Sequence, residues 1–215
     1  MIYNRIMVRH ILFDLDGTLY PMHSGMQEFF RERLLGFTCD FLKLTKEECT
    51  PLLNGVRKRY GTTLEWLMKE KDFTDINAFM AYVHPENEVD FVPKNPDLRS
   101  LIEGLNLPCS ILTNSPLFHA QRVIDFLDLK GIFQNIFSID NFEQLGKPHP
   151  SSYRRVLDNL NLGPNDVLFI DDFPEYVEGY TAIGGRGILL DENDVYEDYP
   201  HCRIKSLREL TGFLS

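Results

Sequence analysis

The sequence predicts an α/β fold: a doubly wound, Rossmann-like parallel sheet with a block of helices inserted after its first strand. Three observations carry this. Val8 to Phe13, Cys109 to Leu112 and Val167 to Ile170 are short apolar runs that stop abruptly at polar residues, as strands buried on both faces do. Helical patterns alternate with the later runs. Between the first run and the second, residues 21–90 hold helical stripes with no strand between them.

Taken in order, Val8 to Phe13 is the first strand. After Phe29, the residues Leu34, Phe37, Phe41 and Leu44 recur at three- and four-residue intervals, followed by Leu52, Leu53 and Val56, then Leu64, Leu67 and Met68. Pro51 and Gly61 punctuate these helices near their starts. Such a block cannot lie within the sheet, so it is expected over the sheet edge as a cap. The expected division is residues 1–20 and 91–215 for the α/β core and 21–90 for the helical cap. The core resumes with a helix from Asp97 to Leu105 and a strand from Cys109 to Leu112. Helical patterns at Ala120 to Leu129 and Tyr153 to Leu160 have Gly131 and Gly163 as stop signals. Val167 to Ile170 and Arg186 to Leu190 read as strands, and Leu207 to Leu214 as a closing helix.

Composition excludes several classes. The 215 residues carry 22 Lys and Arg against 32 Asp and Glu, a net charge of −10. That balance disfavours a nucleic acid polymer or an anionic membrane as partner. No run approaches the roughly 18 apolar residues of a membrane span. The first ten residues are interrupted by charge and lead straight into the first strand, unlike a signal peptide. Cys39, Cys49, Cys109 and Cys202 lack CxxC spacing, which points to buried thiols in a reducing, cytoplasmic setting. Asp191 to Asp198 holds five acids and no base, and reads as a surface loop. The sequence leaves a monomer and a homodimer both open.

In open α/β sheets, ligands bind beyond the carboxyl ends of the strands. Asp14 and Asp16 follow one apolar run, Thr113 and Asn114 another, and Asp171 and Asp172 a third. Four carboxylates converging on one crevice cannot all stay ionised without a cation. Oxygen ligation selects a hard ion, and Mg²⁺ combines few carboxylates with waters and phosphate oxygens. The constellation points to Mg²⁺-dependent phosphate chemistry. Each element also has a bland reading: a strand-end Asp as a helix N-cap, Thr113-Asn114 as a turn, Lys147 as a surface lysine, His149 as structural.

Phe13-Asp14-Leu15-Asp16-Gly17-Thr18-Leu19-Tyr20 resembles the first motif of the haloacid dehalogenase superfamily of phosphohydrolases. Thr113-Asn114 resembles the second motif, Lys147 in Gly146-Lys147-Pro148-His149-Pro150 the third, and Asp171-Asp172 the fourth, in the family's order. The resemblance implies Asp14 as nucleophile and Asp16 as general acid and base. It implies Thr113, Asn114 and Lys147 as phosphoryl-binding groups. Mg²⁺ would be held by Asp14, the backbone carbonyl of Asp16, and Asp172 with Asp171 beside it. Asp16 also separates the sequence from the dehalogenase branch, which lacks the second Asp. One departure is Tyr176, four residues after Asp172, where the family commonly has a carboxylate or Asn.

The inserted helices match the family's helical cap, which excludes water and contacts the leaving group. Leu19-Tyr20 together with Tyr60-Gly61-Thr62-Thr63-Leu64 is similar to the pyrimidine 5′-nucleotidase-like branch. Arg57-Lys58-Arg59 is the densest basic cluster and reads first as a solvated face; Trp66 and Met68 read as cap core. The expected substrate is a small phosphorylated metabolite, with a nucleoside 5′-monophosphate favoured. A sugar phosphomutase, a phosphosugar or phosphoglycolate phosphatase, and a phosphate-binding protein without catalysis are the alternatives.

Overall fold

The computed structural model describes residues 8–143 and 145–214. The leader reading rests mainly on the first seven residues, which lie outside the described residues. Among the described residues no helix is long and apolar enough to cross a membrane.

Among the described residues six parallel strands form one sheet in the order β3-β2-β1-β4-β5-β6. They are β1 (His10–Phe13), β2 (Cys109–Leu112), β3 (Ile136–Phe137), β4 (Val167–Asp171), β5 (Arg186–Leu190) and β6 (Arg203–Ile204). Each residue of β1, β2 and β4 is buried, which is why these runs read as continuous apolar stretches. Their side chains alternate between two cores. Ile11, Phe13, Ile111, Leu168 and Ile170 pack into one, and Leu12, Leu112, Val167 and Phe169 into the other. Two expected strand edges move: β1 begins at His10 rather than Val8, and β4 runs on to Asp171. The strands β3 and β6 are two residues each, too short to show a period in sequence.

Between β1 and β2 the chain forms α1 (Met26–Leu42), α2 (Lys46–Leu53), α3 (Val56–Tyr60), α4 (Thr63–Glu70) and α5 (Ile76–Val83). Their apolar faces meet in a cluster containing Val56, Leu64, Trp66, Leu67, Phe73 and Phe79, so Trp66 is interior packing, with Met68 at its edge. A 3-10 turn, Glu86–Phe91, carries the chain back to the sheet.

Pro51 does not mark a helix start. The start of α2 is a capping box, in which Thr45 Oγ1 accepts the Glu48 N–H and the Glu48 carboxylate accepts the Thr45 N–H. Pro51 falls near the other end of that helix. Gly61 ends α3, with φ +86° and its N–H donated to Arg57 O.

After β2 come α7 (Leu117–Phe126), α8 (Pro150–Leu160) and α9 (Pro174–Thr181), preceded by α6 (Leu98–Glu103) and followed by α10 (Thr211–Leu214). Pro150 and Pro174 occupy first-turn positions, where a missing N–H costs nothing. The helix expected at Ala120 to Leu129 begins earlier, at Leu117 just after Pro116, and ends at Phe126, ahead of Asp128 at positive φ. Asn161, not Gly163, supplies the left-handed cap of α8. The acidic stretch after β5 is not simply a solvated loop. Asp191 is buried and accepts from Arg203 at 2.7 Å, and Asp194 pairs with both Arg203 and Lys205.

Candidate active site

β1 lies between β2 and β4, and the chain runs outward from it in both directions, so the carboxyl end of β1 is the switch point of the sheet. Phe13 pairs with Ile111 on one side and Ile170 on the other. One residue further on, Asp14 lies beside Asp171, and Thr113 follows β2 close by. Neighbouring strands are about 4.8 Å apart, so register alone gathers these side chains.

Lys147 completes the centre. It is fully buried, and its Nζ donates to Asp14 Oδ1 at 2.6 Å and to Asp171 Oδ2 at 2.6 Å. Burial disfavours its charged form, but the two carboxylates outweigh that and raise its pKa. Asn114 clamps the lysine's backbone: its Nδ2 donates to Lys147 O at 2.8 Å and its Oδ1 accepts the Lys147 N–H at 2.8 Å. Both ends of the amide are engaged in holding Lys147. Thr113 Oγ1 accepts the Ser115 N–H at 2.9 Å.

The acids at this centre are poorly compensated. Burial, with Lys147 opposing and Asp171 and Asp16 adding to it, raises Asp14 to about 8. Burial also raises Asp171, despite Lys147. Asp172 is raised by burial and by Asp171 and Asp14. Asp171 Oδ1 accepts the Phe173 N–H at 2.8 Å, so both its oxygens have donors, whereas Asp172 Oδ1 is buried without a hydrogen-bond partner. Asp172 is therefore no helix N-cap. Gly17 makes room for it: at φ +95°, a Cβ there would lie 2.3 Å from Asp172 Oδ2. Asp14, Asp171 and Asp172 each place an oxygen within 4.8 Å of the others, a donor set of hard oxygens that fits a divalent cation.

Asp16 faces a different environment. Its Oδ1 accepts from Tyr20 OH at 2.5 Å and lies 2.7 Å from His119 Nε2; its Oδ2 accepts from Ser115 Oγ at 2.7 Å. Thr113 Oγ1 is 3.4 Å away. Burial would raise Asp16, but His119 and these hydrogen bonds hold it well below the usual carboxylate range. His119 Nδ1 in turn lies 2.8 Å from Glu88 Oε2. Burial opposes the imidazolium, yet Asp16 and Glu88 raise His119 to about 9. Glu88 is lowered to about 2: burial opposes ionisation, and contacts with His119 and His84 overcome it. Tyr20, Ser115, His119 and Glu88 were not singled out as site residues in the sequence. A histidine in the first turn after Thr113-Asn114-Ser115-Pro116 was the one local signal.

Above the centre is a cavity of about 350 Å³. Asp14, Asp16 and Lys147 line one end; Phe30, Leu34, Phe79, Met80 and Val83 from the helical block form an apolar part of the wall, and Arg57, Thr62 and Thr63 from that block and Ile139, Phe173 and Tyr176 from outside it also line it. The block touches the core around it. Tyr176 OH donates to Gly61 O at 3.1 Å, and His149 Nε2 lies 2.8 Å from Glu65 Oε2. The Arg57 guanidinium sits 3.7 Å from the Phe173 ring centroid, and Arg57 also lines the cavity, so it is not simply part of a solvated face. A Cβ at Gly61 would come within 3.0 Å of Lys147 O and Pro148 Cδ, so this approach requires glycine.

A family profile described as haloacid dehalogenase-like hydrolase matches residues 8–184. A phosphorylated carbohydrates phosphatase of Thermotoga maritima is 26% identical over 181 residues, covering 81% of this chain and 81% of the relative. A phosphoglycolate phosphatase of Aquifex aeolicus is 25% identical over 189 residues, covering 85% and 84%. Among solved structures, a HAD phosphatase from Thermococcus onnurineus superposes with a TM-score of 0.66 at 19% identity, covering 97% of this chain and 98% of the other.

Proposed function

The chain belongs to the haloacid dehalogenase-like hydrolases and is a hydrolase of phosphoric monoesters, and from that premise we propose a Mg²⁺-dependent phosphatase that works through an aspartyl-phosphate at Asp14. The observation that carries this reading is Lys147, buried and bonded to Asp14 and Asp171 beside an Asp172 oxygen without a donor.

In the first half-reaction Asp14 attacks phosphorus, the bond to the leaving oxygen breaks, and Asp16 gives that oxygen a proton. In the second, Asp16 takes a proton from water, the water oxygen attacks phosphorus, and Asp14 is released with inorganic phosphate. His119 and the hydrogen bonds to Asp16 favour its ionised form, which the second half needs. An arriving phosphate dianion raises its proton affinity for the first. Lys147 offsets charge on Asp14 and the phosphoryl oxygens, and Thr113 donates to them. Asp14, Asp172 and the Asp16 carbonyl would hold Mg²⁺, with Asp171 anchoring Lys147 alongside. The bound ion supplies charge stabilisation to the phosphoryl group.

We assign residues 21–90 as the cap that closes over substrate, and residues 1–20 and 91–215 as the core. The cavity wall favours a leaving group with an apolar face, and a pyrimidine nucleoside 5′-monophosphate suits it better than a polyhydroxylated sugar. The names of the relatives support a second reading, a phosphosugar or phosphoglycolate phosphatase. The four cysteines carry free thiols, as a reducing cytoplasmic setting requires.

The test is turnover of a phosphomonoester panel with Mg²⁺, comparing kcat/KM for cytidine and uridine 5′-monophosphates, glucose 6-phosphate and phosphoglycolate. Asp14→Asn should lower turnover by roughly four orders of magnitude, as loss of an essential nucleophile does. Retained turnover in that variant would overturn the assignment. A higher kcat/KM for either of the last two substrates would select the second reading, and conversion of one sugar phosphate into another would identify a mutase.

A further inference from the structure

The mechanism uses Asp16 but not the side chains that hold it. Behind it is a chain of groups drawn from three parts of the fold, buried at His119, Glu88 and His84 and reaching partly exposed Arg122. His119, in the first turn of α7, is 2.7 Å from Asp16 through Nε2 and 2.8 Å from Glu88 through Nδ1. Arg122, one turn further along the same helix face, contacts Glu88 Oε1 and donates to Pro85 O at 3.1 Å. His84, the C-cap of α5, is 3.0 Å from the shared Glu88 Oε2. Glu88 itself lies in the 3-10 turn that returns the chain from the helical block to the sheet. Its side chain is 0% exposed, as is that of His119.

We propose that His119 is a positioning residue for hydrolysis, a rigid bridge that fixes the Asp16 carboxylate by tying it to Glu88 on the segment leading out of the helical block. Asp16 must meet first the leaving oxygen and then a water, so its orientation matters in both half-reactions. Tyr20 and Ser115 hold it from its own surroundings, 4 and 99 residues away in sequence. His119 links it to the return segment. The Nδ1 contact with Glu88 is a 2.8 Å ion pair without hydrogen-bond alignment, and Nε2 is hydrogen-bonded to Asp16 at 2.7 Å, so a displacement of the return segment is transmitted to Asp16 through the imidazole. His84, Glu88 and His119 also lie within metal-ligand distance of one another. Arg122 already balances Glu88, however, and a cation there would face a guanidinium.

The inference rests on the roles proposed for Asp14 and Asp16, and leaving-group chemistry separates it from a role in folding. With p-nitrophenyl phosphate the phenolate departs without a proton, so the pre-steady-state burst reports attack by Asp14. The steady state then reports water attack, which needs Asp16. His119→Ala should keep the burst rate within about threefold and lower the steady-state rate about 100-fold, the range of lost general base catalysis. His119→Gln, which can still reach Asp16, should recover about tenfold of that. The double variant H119Q/E88Q, which removes the buried imidazolium and one carboxylate together, guards against misfolding, and a burst within threefold with a slowed steady state is expected there too. Burst and steady state falling together, or a steady state unchanged in His119→Ala, would overturn the proposal. Asp14→Asn and Asp16→Asn run alongside. If either keeps wild-type steady-state turnover, the catalytic reading fails instead.

Discussion

Two acid clusters flank the end of β1. In the first, Asp14, Asp171 and Asp172 share one ammonium, Lys147. In the second, Asp16 and Glu88 face His119 and Arg122. Both contain three metal-capable side chains within 4.8 Å, counting His84 with Glu88 and His119 in the second. Ligand geometry does not tell them apart; charge does. With its acids ionised the first is short by two positive charges, and one of its oxygens has no donor. The second is balanced when His119 is protonated. A buried set of like charges either takes up protons or takes up a cation, whereas a matched set does neither. The first cluster is built to receive something, and the second to stay as it is.

The sharpest way to break this comparison is to titrate metal. Asp172→Asn should abolish calorimetric Mg²⁺ binding and activity, while Glu88→Gln should leave one Mg²⁺ site per chain. Binding retained in the first variant and lost in the second would reverse the comparison.

Lys147→Met comes next. It strips the first cluster of the ammonium bonded to Asp14 and Asp171, so it should cost about 3–5 kcal/mol of stability in chelator. Thermal melts would show it, and added Mg²⁺ should recover part of the loss.

The clusters also predict opposite responses to pH. Asp14 is raised from 3.8 to about 8, so the folded chain holds a proton that the unfolded chain releases. Without metal its contribution therefore falls as pH rises between those values. Glu88, lowered from 4.5 to about 2, contributes fully above 4.5. His119, raised from 6.5 to about 9, contributes fully below 6.5 and loses that on the way to 9. Between 4.5 and 6.5 Glu88 and His119 are flat and His84, lowered from 6.5 by burial and by His119, adds stability as pH rises, while the first cluster declines. The gap in Tm between Mg²⁺ and chelator should widen as pH rises from about 5 to about 8; a constant gap would contradict the charge deficit.

The smallest effect concerns the ties to the helical block. The second cluster is tied by buried charge, Glu88 to His119. The first is tied by a neutral bond, since the Tyr176 ring lies 4.9 Å from Lys147 Nζ and its hydroxyl reaches Gly61 O. Tyr176→Phe should cost about 1 kcal/mol of that contact and raise KM about fivefold. The kcat is expected to change less than twofold, and steady-state kinetics checks the split.

The first cluster was legible in the sequence and of the second only Asp16 was, for a physical reason. Asp14, Thr113 and Asp171 end apolar strands, so periodicity locates them and the sheet brings them together. Lys147 was legible through its motif. His119 lies 103 residues from Asp16, on a helix whose face reads as ordinary core, and its partner Glu88 sits in an irregular turn. Only tertiary packing makes them neighbours. Asn114 was found but not understood, because an amide's partners are invisible until the Lys147 loop is placed. Pro51 misled because the Thr45–Glu48 box, the stronger start signal, went unread. Tyr176 broke the family pattern in sequence, and the structure gives it a task at the seam with Gly61.

The cavity wall has a consequence for how such a chain changes over generations. Phe30, Leu34, Phe79, Met80 and Val83 all come from one continuous insertion, and the reactive atoms come from strand ends outside it. Mutations that reshape the wall do not touch Asp14, Lys147 or Asp172. On the proposed reading of this cavity as the leaving-group pocket, substrate preference can drift while the reacting residues are kept.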